Sequence, residues 1–81
     1  MNYIERMLTL QDLVNRISKG TTGNKSQLAR QLHMTETSLR RRLEELKDMG
    51  AEIVFDQKAN TYYINNEFTI HVEVKVNNER Q

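Results

Sequence analysis

The chain contains no cysteine, which excludes a disulfide framework and a thiolate metal site. Proline is absent too, and there is no low-complexity tract or internal repeat. No apolar run approaches the roughly 20 residues that a membrane-spanning helix needs. The first residues, MNYIERML, lack the form of a signal peptide, so a cytoplasmic protein without a membrane partner is expected. The two histidines, His33 and His71, are too few and too far apart to hold a metal. There is no Ser-His-Asp or Cys-His set, no glycine-rich phosphate loop and no paired-carboxylate motif. Neither an enzyme, a cofactor nor a small-molecule site is therefore expected. A large excess of one charge is also missing: the net charge is +1, which is not that of a generally basic chain.

What is present fits one small domain. At 81 residues and 37% hydrophobic, the chain can bury one modest core. Its positive charge is unevenly placed. Residues 1–23 carry net +1, residues 24–50 net +2, and residues 51–81 net −2.

The segment richest in positive charge, NKSQLARQLHMTETSLRRRLEELKDMG at 24–50, reads as two helices joined by a tight turn. Asn24 and Gln27 match a capping box, and Leu28, Ala29 and Leu32 share one face. His33 and Met34 form the turn and Thr35 caps the second helix, expected over 35–49. Leu39, Leu43 and Leu46 then recur at core spacing, and Gly50 ends the helix. Glu36, Thr37, Arg40, Arg41 and Lys47 are left largely outward. An apolar back with a basic front is the pattern of a helix that enters the major groove of DNA.

Two further elements flank this pair. Residues 2–19 read as a helix. Asn2 and Glu5 match a capping pair, and Ile4, Leu8, Leu10 or Gln11, Leu13, Val14 and Ile17 give it a broad apolar face. The loop GTTG (20–23) follows. After Gly50 come AEIVFD, a four-residue turn QKAN, and TYYI, in which Ile53, Phe55, Tyr62 and Ile64 alternate with more polar neighbours. This predicts a short hairpin with one buried face. A helix-turn-helix followed by a hairpin is a winged helix, with the hairpin as its wing. The expected fold class is thus α+β, a three-helix winged helix-turn-helix over residues 1–66.

These residues resemble the N-terminal winged-helix domain of bacterial transcription regulators of the deoxyribonucleoside-operon-repressor and WYL-domain type. They are also similar to the DNA-binding domain of the biotin repressor. The resemblance rests on Leu28-Ala29, the turn Leu32-His33-Met34-Thr35, Arg41, the run from Leu46 to Gly50, the strand from Ile53 to Asp56, and Thr61-Tyr62-Tyr63-Ile64. It covers about four-fifths of the chain. It implies sequence-specific binding of double-stranded DNA by a transcription regulator. Two positions depart from the pattern: His33 and Thr61 stand where these regulators usually have glycine. His33 is expected to take a positive φ, which histidine tolerates better than most residues. Thr61 implies a hairpin that bends differently. The regulators also carry a sensor domain after the wing, and residues 67–81 are too few to hold one.

The expected DNA contacts are Arg40 and Arg41 on guanine edges or phosphates, Thr37 and Glu36 on bases, Ser26 on phosphate, the hairpin's Lys58 on phosphate or in the minor groove, and the outward Lys47. Gln27 can reach phosphate beside Ser26 or serve only as a cap. Each contact has a plainer reading. The arginines can pair with Glu44, Glu45 and Asp48 one turn on, Glu36 can simply favour a helix N-terminus, and a loop lysine is usually just solvated. Arg42 lies about a right angle further round and can pair within the protein. Tyr62 and Tyr63 are expected as hairpin packing. So weakly charged a monomer makes few phosphate contacts, and a homodimer on two half-sites is the usual remedy.

Residues 67–76, EFTIHVEVKV, alternate strictly, with Phe68, Ile70, Val72, Val74 and Val76 on one side. An additional strand is expected here. It either makes a homodimer, docks another protein or packs on the core of its own chain. The alternative function is therefore a winged helix used for protein–protein contact through this strand.

Overall fold

The computed structural model describes residues 2–71. Three helices come first, α1 (Tyr3–Ser18), α2 (Lys25–Gln31) and α3 (Glu36–Asp48), followed by an antiparallel hairpin of β1 (Ile53–Asp56) and β2 (Thr61–Ile64). The class is α+β.

The helix starts follow from local chemistry. Asn2 accepts from the Glu5 N–H at 2.8 Å, and the Glu5 carboxylate accepts from the Asn2 N–H at 3.3 Å. Asn24 and Gln27 repeat this reciprocal box at 2.9 and 2.7 Å. Thr35 opens α3 by accepting from the Ser38 N–H at 3.0 Å. Each side chain satisfies an N–H that the first turn of a helix leaves without a carbonyl.

The helix ends are as specific. After α3, Gly50 takes φ +112°; its N–H donates to Lys47 O, and the Ala51 N–H donates to Leu46 O. After α2 the same pair of bonds recurs, from His33 N–H to Arg30 O and from Met34 N–H to Ala29 O, with His33 at φ +56°. Both are Schellman closures, which need one left-handed residue just past the helix and bring the next residue onto an apolar partner. His33 therefore does the work of a glycine, as the resemblance implies.

The core is built from Leu10, Leu13, Val14 and Ile17 of α1, Leu28 and Ala29 of α2, Leu39, Leu43 and Leu46 of α3, and Ala51. Leu32, Met34, Ile53, Tyr62 and Ile64 pack against it. The apolar face of α1 is narrower than expected. Ile4 and Leu8 remain 39% and 47% exposed, beside Tyr3. Ile4 and Leu8 lie well round the helix from Leu10, Leu13, Val14 and Ile17, whereas Met7, nearer that face, packs against the core.

In the hairpin Phe55 faces Tyr62, with ring centroids 4.9 Å apart in an edge-on arrangement, and Val54 faces Tyr63 on the outer side. Asp56 Oδ1 accepts from the N–H groups of Lys58 and Ala59 at 3.0 and 3.2 Å, shaping the turn. The left-handed residue is Asn60 at φ +54°. Thr61 is instead an ordinary, buried strand residue, so the altered bend expected at Thr61 sits one position earlier. Asn66 closes the base of the hairpin, its amide bridging Gly50 O and the Glu52 N–H.

Residues 67–71 form no strand; Phe68 and Ile70 lie partly buried on the core of their own chain. The remainder of the strand expected over 67–76, with Val72, Val74 and Val76, lies outside the described residues.

Candidate nucleic-acid interface

The three leucines of α3 face inward, so the opposite side of that helix is presented to solvent. Glu36, Thr37, Arg40, Arg41 and Lys47 are all exposed, as are Ser26 on α2 and Lys58 in the hairpin turn. The consecutive arginines part company. Arg42 turns back toward the protein, and its Nε lies 2.8 Å from the Glu45 carboxylate, which Arg6 of α1 approaches at 3.6 Å. Glu45 thus links α1 to α3. Among the described residues, neither Arg40 nor Arg41 has an ion-pair partner within 4.0 Å. Among the described residues, pairing within the protein accounts for the third arginine and not for the first two.

Charge along the exposed face is graded. The first half of α3 carries Arg40 and Arg41 against Glu36, whereas the second half sets Lys47 against Glu44 and Asp48. The positive potential is therefore concentrated toward the N-terminal half, where the helix macrodipole adds to it. Lys47 sits in the net-negative half.

The hairpin is fixed to this surface at two points. At the turn end of β2, the Thr22 N–H donates to Thr61 Oγ1 at 3.0 Å, and the Tyr62 N–H donates to Thr22 Oγ1 at 2.9 Å. In the turn itself, Asn60 Nδ2 donates to Gln27 Oε1 at 3.2 Å. That bond sets the turn carrying Lys58 beside the start of α2, which carries Ser26. Burial, and then the nearby Glu36 carboxylate, push the Tyr62 phenol above its ordinary pKa. The start of α2 and the hairpin turn are thus neighbours, and Glu36 at the start of α3 is near enough to β2 to act on Tyr62.

The amino-acid pattern offers Gln27 as a cap or a phosphate contact and does not single out Asn60. An asparagine closing a four-residue turn is a signal for a left-handed residue, but its partner 33 positions earlier has no local signature.

An open groove of about 370 Å³ lies elsewhere, between α1 and the turn after α2, lined in part by Thr9, Leu32, His33 and Met34. Its cation, Arg16, is already held by Asp12 at 3.1 Å and approaches Gln31 Oε1 at 3.5 Å. No group of His, Asp or Glu side chains among the described residues could hold a metal ion, and no described helix is long and apolar enough to cross a membrane. Compared with family models, with curated proteins and with solved structures, the chain matches none.

Proposed function

We propose that this chain is a winged helix-turn-helix that binds double-stranded DNA sequence-specifically, as a small cytoplasmic transcriptional regulator. In this reading α3 enters the major groove and the hairpin lies on the flanking backbone. The observation that carries it is the contrast within one arginine run: Arg42 is engaged by Glu45, while Arg40 and Arg41 stand exposed with no ion pair among the described residues. Two such guanidiniums one residue apart on a helix front suit one base edge and one adjacent phosphate. Thr37 and Glu36, nearer the helix start, would meet bases. Ser26, Lys47 and Lys58 would meet the backbone.

The charge grading tilts this docking toward the N-terminal half of α3, which is how recognition helices usually enter the groove. Few cations are available, so the monomer's salt dependence is shallow. With three or four phosphates neutralised, log K falls with log salt at a slope of about −3 to −4. A homodimer would double that and supply the second half-site. Fluorescence anisotropy on a random duplex across a salt series is the test. Salt-sensitive binding supports the reading, and the absence of binding at low salt overturns it.

A second reading, a winged helix used for protein contact, is favoured by the exposed apolar start of α1, Tyr3, Ile4 and Leu8. It predicts no duplex binding at low salt and loss of self-association or partner capture on Leu8→Asp or on Val72→Asp with Val74→Asp.

A further inference from the structure

We infer that Asn60 and Gln27 are positioning residues for the hairpin turn, holding Lys58 in place against a nucleic-acid backbone. The inference deepens the DNA-binding reading and its second arm rests on it.

The hairpin strands are only four residues long, and all four residues of the turn, 57–60, are exposed. A short exposed hairpin tip moves freely unless something beyond its own two strands holds it. The Thr22–Thr61 bonds hold the strand where it leaves the turn, but they touch no residue of the turn itself. At the tip, the bond from Asn60 Nδ2 to Gln27 Oε1 ties the turn to the helices. Asp56 shapes the turn but belongs to the hairpin itself.

Gln27 suits this role because its own position is fixed. Its Oε1 also accepts from the Asn24 N–H at 2.7 Å, which locks the side chain into the α2 capping box. Gly23 packs directly beneath it. A Cβ at Gly23 would collide with Gln27 Oε1, so it is the missing side chain there that makes room for this conformation. Asn60 suits the role equally, since its left-handed backbone closes the turn while its amide points back at α2. One oxygen therefore ties the start of α2 to the angle of the hairpin turn.

The test has two arms. In the first, ¹⁵N relaxation of the free protein reads the Lys58 and Ala59 amides in wild type, Asn60→Gly and Asn60→Asp. Asp keeps the size and the tolerance for positive φ but offers no donor. Higher mobility at the tip in both variants, with strand and helix amides unchanged, is expected, and unchanged mobility in Asn60→Asp overturns the inference whether or not DNA binds. In the second arm, duplex affinity is measured for Asn60→Gly, Lys58→Ala and the double variant. Loss of one hydrogen bond predicts binding about two- to tenfold weaker in Asn60→Gly, and that loss should vanish in the Lys58→Ala background. Full additivity overturns the positioning role. Tip mobility changing as expected in a protein that binds no duplex supports the tie and overturns the proposed function instead.

Discussion

Thr22 and Thr61, 39 residues apart, hold the hairpin to the helices through exchanged hydrogen bonds rather than through a backbone ladder. Thr61 Oγ1 accepts from the Thr22 N–H, and Thr22 Oγ1 accepts from the Tyr62 N–H beside it. The two hydroxyls lie 3.2 Å apart and either can donate. Thr22 and Thr61 are buried, 1% and 6% exposed, and Tyr62 partly so, so a lost acceptor is poorly replaced by water, least of all at the Thr22 N–H. Thr22→Val and Thr61→Val keep the shape and strand each one donor. Each should cost about 1–3 kcal/mol, and the double variant should cost less than their sum because the two bonds form one network. Urea denaturation of the four proteins measures this.

Two glycines with nearly the same φ should respond differently to alanine. Gly20 at φ +73° has nothing within 4 Å of where an alanine methyl would sit, whereas at Gly23, φ +74°, the methyl would strike Gln27. Gly20→Ala should cost only the left-handed penalty of about 1–2 kcal/mol. Gly23→Ala should cost more, by displacing Gln27 from its capping box and from Asn60. Denaturant midpoints at equal slope report the difference.

The turn after α2 tests the helix closure. His33→Gly should be neutral or slightly stabilising, since it removes a Cβ from a positive-φ position. His33→Val should destabilise by about 1–2 kcal/mol, because a β-branched side chain suits that conformation badly. Thermal melts of the three proteins decide it, and an unperturbed valine variant would contradict the closure described for α2.

The raised pKa of Tyr62 gives a pH prediction with a definite sign. Burial and then Glu36 disfavour the phenolate in the folded state. The unfolded chain therefore ionises first as pH climbs past the ordinary tyrosine value. Stability that is complete below about pH 10 is lost as pH rises toward the folded pKa. Tyr62→Phe should flatten that alkaline limb, measured as urea midpoints from about pH 8 to 11.

Much of this architecture is legible in the chain because it is local. The capping boxes at Asn2/Glu5 and Asn24/Gln27 join residues three apart, the leucines of α3 repeat at helical spacing, and QKAN is a turn by its composition. The left-handed His33 is legible through the resemblance, which has glycine at that place in the turn. What is not legible depends on partners far away in sequence. Ile4 and Leu8 widen the apolar face of α1 on paper, but only the packed neighbours decide how broad a face is covered, and these two stay exposed. Thr61 reads as a substitute for glycine, whereas Asn60 takes the left-handed position and frees Thr61 to pair with Thr22. Within the candidate site, the spacing places Arg40 and Arg41 outward and Arg42 round the side. The tie from Asn60 to Gln27 has no counterpart in any local pattern.

The most direct measurement is duplex affinity of Arg40→Ala and Arg41→Ala by fluorescence anisotropy, beside a thermal melt of each. Both side chains are exposed and make no ion pair among the described residues, so the melts should match wild type. Each variant should bind about 5- to 150-fold more weakly, the equivalent of roughly 1–3 kcal/mol for a lost base or phosphate contact. Undiminished affinity in both variants would contradict the assignment of α3 as the DNA-reading helix.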